Sequence, residues 1–298
     1  MPAHGRAPSP WRGPFPRRRR GSPGAWSPRR RHYRSAILGP VQPSDRVTTA
    51  LVRPPSPRLA EGIVTHLERT EIDLDRARTQ WEAYVAALED VGWRIAMVDP
   101  VDECPDSVFV EDTAVMFDRL AVLTRPGAPS RRPEVAGTAE AFGRLADIET
   151  FSLSSGRLDG GDVLKIGRRA YVGIGGRTDA EGVDELARML APRGWEVVGV
   201  PVSRVLHLKS AVTALPDGTV IGFEPLVDDP SVFERFLPVP EEDGAHVVVI
   251  DDHTVLMADS APETGQLLRA RGLEVIEVDI SEFIRLEGCV TCLSIRIR

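Results

Sequence analysis

The 298-residue sequence holds only three cysteines, Cys104, Cys289 and Cys292. Three thiols so widely split do not make the disulfide framework of a small secreted domain, and the expected setting is a reducing cytoplasm. No run of about 18 apolar residues occurs, so no membrane span is expected. Cys289 and Cys292 form a Cys-x-x-Cys, but no second cysteine pair and no His-x-x-x-His accompany it. A zinc site lacks its other half. A thioredoxin-type redox motif should open a helix, whereas this one runs into the alternating "CLSIRIR", a strand pattern. The remaining readings are a buried, inert pair of core cysteines or a nucleophile and its neighbour.

Acidic residues and lysine are absent from residues 1–35, which carry ten Arg. The net charge of −7 therefore divides into +10 for this head and −17 for the remainder. The head is rich in Pro, Gly and Arg with no apolar period, so residues 1–40 are expected to be a disordered extension. It has no apolar stretch of a secretory signal, although Arg17–Arg20 resemble part of a twin-arginine export signal. An Arg run also suits phosphate, but the acidic body argues against nucleic acid as the main partner. Translated upstream sequence is the plainer reading. With 42% hydrophobic and 27% charged residues, the rest is long enough for one large core, and residues 41–298 are expected to form a single domain.

That body reads as a repeat. "AVMFDRLAVLT" (114–124), "DVLKIGRRAYVGI" (162–174), "AVTALPDGTVIGF" (211–223) and "HVVVIDDHTVLMA" (246–258) each place two apolar runs around turn residues, the signature of a hairpin. Helical periodicity follows at 134–145, 179–194 and 261–272, and a short helix is expected in "PSVFERFL". Strand-like runs close the units. A fifth unit is split between the chain ends, with "CLSIRIR" and "DRVTTALVR" as strands. Its helix carries Leu74, Ala77, Trp81, Tyr84, Val85 and Leu88 on one face, with Thr70 as the expected N-cap. Five such units whose ends meet suggest a closed ring without free sheet edges; an ordinary α/β sandwich is the alternative.

Polar residues cluster just before each hairpin, in "CPDSVFVEDTA", "GRLDGGDV", "RVLHLKSAV" and "LEGCVTCLS". By the repeat these are equivalent positions and should face one axis. They offer Asp106, Glu111, Asp112, Asp159, Asp162, His207, Lys209, Cys289 and Cys292. A thiol, an imidazole and carboxylates around one mouth make up a nucleophilic site for a cationic substrate. Taken singly, each has a structural reading. His207 between two leucines suits a core histidine, and Asp159-Gly160-Gly161-Asp162 suits a turn in which Gly supplies positive φ and Asp caps it.

Taken together, "PDSVFVED", "TRPG", "LDGGDV", "RTDAEG", "VLHLKS" and the C-terminal "G-x-V-T-C-L-S" resemble, in order and from about Arg46 to Arg298, the dimethylarginine dimethylaminohydrolase family. The wider group is the guanidine-modifying pentein enzymes, and the resemblance implies their α/β fold, a five-fold ββαβ propeller. It implies hydrolysis of Nω-methylated L-arginines to L-citrulline and dimethylamine or methylamine through a thiouronium on Cys292, with His207 as general acid and base. Asp159 and Asp112 would hold the guanidinium, with Asp106 (toward the α-amino group) and Glu111 in the same pocket. Arg125 and Arg177 would meet the substrate carboxylate, and backbone near Ile63 and Leu286 would line the pocket. No cofactor and no metal are implied; the partner is a small methylarginine, and the protein would be a monomer or homodimer. Some members carry Glu where Asp159 stands, and the head has no family counterpart. Arginine deiminases share the fold but place Asp two residues after the catalytic His, where this chain has Lys209. A non-catalytic pentein acting as a binding module would have lost the thiol, imidazole or acids, all of which are present.

Overall fold

The computed structural model describes residues 48–298. The expected disordered extension and the first residues of the N-terminal strand lie outside the described residues.

Strand β1 (Thr49–Val52) is fully buried and leads through helix α1 (Leu74–Asp90) to β2 (Arg94–Met97), which pairs parallel with β1. The next hairpin, β3 (Ala114–Phe117) and β4 (Leu120–Leu123), turns at Asp118 with φ 54°. Helix α2 (Glu134–Gly143) then crosses to β5 (Glu149–Ser152), parallel to β4. The third unit repeats this with β6 (Val163–Ile166), β7 (Arg169–Ile174), α3 (Ala180–Leu190) and β8 (Glu196–Pro201). The fourth has β9 (Val212–Ala214), β10 (Val220–Gly222) and β11 (Phe236–Pro238). The fifth has β12 (Val247–Val249), β13 (Thr254–Ala258), α4 (Pro262–Ala270) and β14 (Glu274–Val278). A short helix α5 (Ser281–Ile284) follows, and β15 (Ile295–Ile297) returns to pair antiparallel with β1. The described residues thus contain five three-stranded sheets, each with one antiparallel and one parallel pair. A parallel pair needs a crossover of a dozen residues or so, which α-helices supply in four units and 3-10 turns supply between β10 and β11.

Two sequence expectations fail here. The "PSVFERFL" stretch is not a helix: Pro230–Val232 is a single 3-10 turn and Phe236–Pro238 is strand β11. Pro225 and Pro230 remove amide donors from this crossover. Asp229 accepts from Ser231 N at 2.9 Å, and Phe233 turns inward against Tyr171, with ring centroids 5.2 Å apart. The N-cap of α1 is Asp73 rather than Thr70. Its Oδ1 accepts from the amides of Asp75 and Arg76, both at 3.0 Å. Gln80 also joins the buried face of α1, where Ser281 Oγ accepts from its Nε2 at 2.8 Å and its Oε1 accepts from Glu282 N at 3.0 Å.

Apolar side chains collect in five clusters, each shared by two sheets that follow one another in the chain. Leu51 and Ile295 pack with Met116, Phe117 with Val163, Tyr171 with Val220, and Ile221 with Val255. The remaining cluster joins the last-formed sheet to the first, with Val248 and Leu256 beside Ala50 and Tyr84.

Candidate active site

Asp112, Asp159 and His207 each stand just before the first strand of a hairpin, and Cys292 stands just before β15. Asp112 lies in the 3-10 turn Val110–Thr113 ahead of β3, and Asp159 opens the turn Gly160–Asp162 ahead of β6. His207 precedes the turn Leu208–Ser210 ahead of β9, and Cys292 sits in the turn before β15. The repeat therefore places them equivalently, and the structure brings three of them into contact. His207 Nε2 lies 3.0 Å from Asp159 Oδ2 and 3.9 Å from Asp112 Oδ1. All three are buried.

The Gly160-Gly161 pair is required for space, not for turn geometry. Neither residue has positive φ, and Asp159 makes no side-chain cap bond. A Cβ on Gly160 would sit 2.0 Å from the Glu111 carbonyl oxygen. One on Gly161 would sit 2.7 Å from Asp112 Oδ1 and 2.8 Å from His207 Nδ1. The expectation of positive φ is thus corrected: the glycines let two carboxylates and an imidazole close on one another.

Asp112 is clamped. Arg131 Nη1 donates to its Oδ2 at 2.5 Å and the Gly161 amide to its Oδ1 at 2.8 Å. Burial pushes this carboxyl upward, but the charges of His207 and Arg131 and these hydrogen bonds more than offset it and hold the group well below the usual carboxylate range. Arg131 in turn is held by Glu134 at 2.8 Å and by the carbonyls of Asp106 and Phe109. Asp159 accepts from Gly127 N at 2.7 Å through its other oxygen. Asp162 stands behind His207, accepting from Leu208 N at 2.9 Å and from Thr178 Oγ1 at 2.6 Å. Burial raises its carboxyl to about 6.

For His207, burial disfavours the charged ring, but Asp112, the hydrogen bond to Asp159 and Asp162 outweigh it and raise the imidazole to about 9. At neutral pH His207 is therefore an imidazolium. A histidine raised from its ordinary 6.5 to about 9 stabilises the fold fully below pH 6.5, and that contribution is lost as pH rises through 9. The melting temperature is expected to fall across this window, with a shallower fall in His207→Gln. An equal slope in both proteins, by thermal unfolding, would place the responsible proton elsewhere.

Cys289 and Cys292 are both buried, with sulfurs 3.4 Å apart. They share one hydrogen bond, so the two ionisations oppose each other. Cys289 is lowered to about 5 by the bond from Cys292, against burial and with help from His246 and Thr291. Cys292 is raised by that bond, by burial and by the nearby negative charge of Cys289, Glu111 and Asp112. Cys292 is thus held as a thiol, and positive charge placed beside it would favour its ionisation.

The Ile63 amide donates to both oxygens of Asp106, at 3.0 and 3.2 Å. Gly62 lies against both Asp106 and Leu286. Gly127 lies against the Arg177 backbone, and an added Cβ would fall 2.1 Å from the Arg177 carbonyl oxygen. Arg125 Nη1 donates to the Gly156 carbonyl at 2.7 Å. Arg177 Nη1 is buried, 3.6 Å from Asp159 Oδ2, and has no hydrogen-bond acceptor.

Glu111 is the exception. Its carboxylate accepts from Thr291 Oγ1 at 2.9 Å and from Arg296, and lies 2.5 Å from Lys209 Nζ. It is committed to a second ion network and faces a cavity behind the site. Arg131, Thr178 and Gly127 were not found from sequence. Arg131 sits in "APSRRPEV" with no spacing signal, because its role arises from a tertiary approach to Asp112.

Asp112, Asp159 and His207 offer donors all within 4.8 Å of one another, a set a metal ion could use. An imidazolium is not a ligand, so metal would have to displace a proton that both carboxylates favour. The arrangement suits an organic cation better.

Comparison with known proteins identifies the class and then the family. A family model described as arginine deiminase matches residues 97–242. A dimethylarginine dimethylaminohydrolase of Streptomyces coelicolor is 61% identical over 249 residues, covering 84% of this chain and 96% of that protein. The solved Pseudomonas aeruginosa enzyme, a Cys-to-Ser variant complexed with citrulline, superposes with TM-score 0.78 at 31% identity, covering 84% of this chain and 98% of the other. A His-to-Gly dimethylarginine dimethylaminohydrolase carrying an S-methyl-L-thiocitrulline adduct gives TM-score 0.79 at 30% identity, covering 85% and 100%. The fold is the α/β fold of these guanidine-modifying hydrolases. The chain belongs to the dimethylarginine dimethylaminohydrolase family.

Proposed function

We propose that the protein hydrolyses asymmetric dimethylarginine and monomethylarginine to L-citrulline and dimethylamine or methylamine. The observation that carries this reading is that two buried carboxylates already hold a planar, delocalised cation, the His207 imidazolium, between them. A guanidinium has the same charge and planarity. Asp159 and Asp112 fix its plane, Arg125 and Arg177 pair with the substrate carboxylate, and Asp106 with the Ile63 backbone and Leu286 encloses the α-amino end. The unpartnered Arg177 Nη1 supports this, since a buried donor calls for an acceptor.

The cation brings the positive charge that Cys292 lacks, and its thiol ionises, releasing its proton to water. The thiolate attacks the guanidinium carbon, forming a C–S bond. His207 gives its proton to the methylated nitrogen, the C–N bond breaks and the amine leaves. The thiouronium remains on Cys292. Neutral His207 then takes a proton from water and the oxygen attacks the same carbon. The C–S bond breaks, the remaining hydroxyl proton passes to the departing sulfur, and citrulline is released with Cys292 again a thiol and His207 an imidazolium.

The same five clusters between successive sheets support a closed five-bladed ring, and residues 41–298 are the catalytic domain in a cytoplasmic protein. Among the described residues, no helix is long and apolar enough to cross a membrane. Deleting residues 1–40 is expected to leave kcat and melting temperature nearly unchanged; a large loss of either would assign the head a role in the domain.

Methylated arginine should be preferred to arginine. A deiminase would present a carboxylate two residues after His207, but that position is Lys209, held 2.5 Å from Glu111. The methylated nitrogen thus meets no third acid. A panel of arginine, monomethylarginine, asymmetric dimethylarginine and agmatine, scored for citrulline and released amine, tests the reading. Equal turnover of all four would remove the subfamily assignment.

A further inference from the structure

The chain has 37 Lys and Arg residues, and only two of them, Lys165 and Lys209, are lysine. Both line one cavity of about 400 Å³, whose lining includes Glu111 but not Asp112, Asp159 or His207. The first strands of all five sheets contribute to its wall, among them Met116, Lys165, Thr213, Val247 and Arg296. Arg298 lines the cavity too.

The charges in this space do not balance. Lys209 and Arg296 share one carboxylate, Glu111. Asp118 is paired outward with Arg168 at 2.5 Å. Lys165 donates to the Met116 carbonyl and Arg298 to the Val249 carbonyl, and neither has an acidic partner among the described ion pairs. Arg298 feels only the more distant Asp251 and Asp252. Four cations thus line the cavity, and Glu111 is the one carboxylate of its lining that is not paired outward.

We propose that this cavity binds a small multivalent oxyanion, with Lys165 and Arg298 as its principal ligands. An oxyanion would accept the ammonium protons of Lys165 that Met116 leaves free and would offset the repulsion among the four cations. Lys165 is solvent-accessible, yet desolvation near its ammonium and then the charges of Lys209, Arg296 and Arg298 lower it to about 7. Lysine suits such a place because an ammonium crowded by other cations can shed its proton, which a guanidinium does not do. The ligand class is a phosphoryl group or a polycarboxylate, which share this chemistry.

Calorimetric titration of the full chain at pH 7 with inorganic phosphate and with citrate, against chloride at matched ionic strength, tests this without using turnover. Saturable binding of phosphate alone assigns a phosphoryl ligand, and of citrate alone a polycarboxylate. Either affinity should fall at least about tenfold in Lys165→Met and several-fold in Arg298→Gln. Arg298→Gln alters only the last residue and decides the matter if Lys165→Met does not fold. No saturable binding beyond chloride, or undiminished binding in Arg298→Gln, would overturn the proposal.

Discussion

Replacing Cys292 by serine is expected to lower kcat for asymmetric dimethylarginine by about four orders of magnitude or more, while Cys289→Ser keeps most of the activity. The asymmetry follows from attack chemistry. A serine hydroxyl near its ordinary acidity does not ionise beside a guanidinium as a thiol does, so the bond-forming step loses its nucleophile. Cys289 makes no covalent bond in the proposed path. Its effect is electrostatic, through the 3.4 Å sulfur contact that raises Cys292. Removing it should lower the Cys292 thiol, so alkylation of Cys289→Ser by iodoacetamide should begin at lower pH for Cys292 than in the parent protein. An inactive Cys289→Ser beside an active Cys292→Ser would exchange the two roles.

Arg177→Ala should raise KM for asymmetric dimethylarginine by roughly 10²-fold, with a much smaller change in kcat. Its Nη1 is buried without an acceptor, so the donor is already desolvated before substrate arrives. Loss of one charge-assisted contact to a carboxylate costs about 2–3 kcal/mol. The carboxylate lies far from the breaking C–N bond, so the contact is made equally in ground and transition states, and such uniform binding appears in KM. Agmatine lacks the carboxylate and should be a poor substrate of the parent protein, with little further loss in Arg177→Ala. If the variant loses kcat and KM is unchanged, Arg177 acts on the reacting centre through Asp159, 3.6 Å away.

The sequence carried the sheets well because each hairpin has two signals at once, an apolar pair of runs and a turn residue. Asp118 and Gly218, with φ of 54° and 79°, sit where the patterns broke. It failed at 230–237, where an aromatic spacing compatible with a helix is overruled by prolines and by strand pairing with β10. Thr70 and Asp73 are equally good caps on composition, and only the packing of Ile72 and the contact from Asp73 N to Glu282 Oε2 at 3.0 Å distinguish them. In the site, residues that precede hairpins were legible because the repeat makes them equivalent. Their partners were not. Arg131 reaches Asp112 from a crossover loop, and the reason for Gly161 lies in side chains from two other units. Glu111 and Asp112 are neighbours in one motif, yet one faces the Lys209–Arg296 network and the other the His207 cluster. A motif read as a string does not show which side of a turn each residue takes.

The central claim is that catalysis passes through a thiouronium on Cys292. Full-length protein mixed with asymmetric dimethylarginine, quenched in acid within the first turnovers, digested and analysed by mass spectrometry tests it most directly. The peptide containing Cys289 and Cys292 should carry the substrate less dimethylamine, with fragmentation placing the added mass on Cys292, and the adduct should vanish as citrulline accumulates. An unmodified peptide during steady turnover of asymmetric dimethylarginine by the parent protein, or an adduct on Cys289, would contradict it.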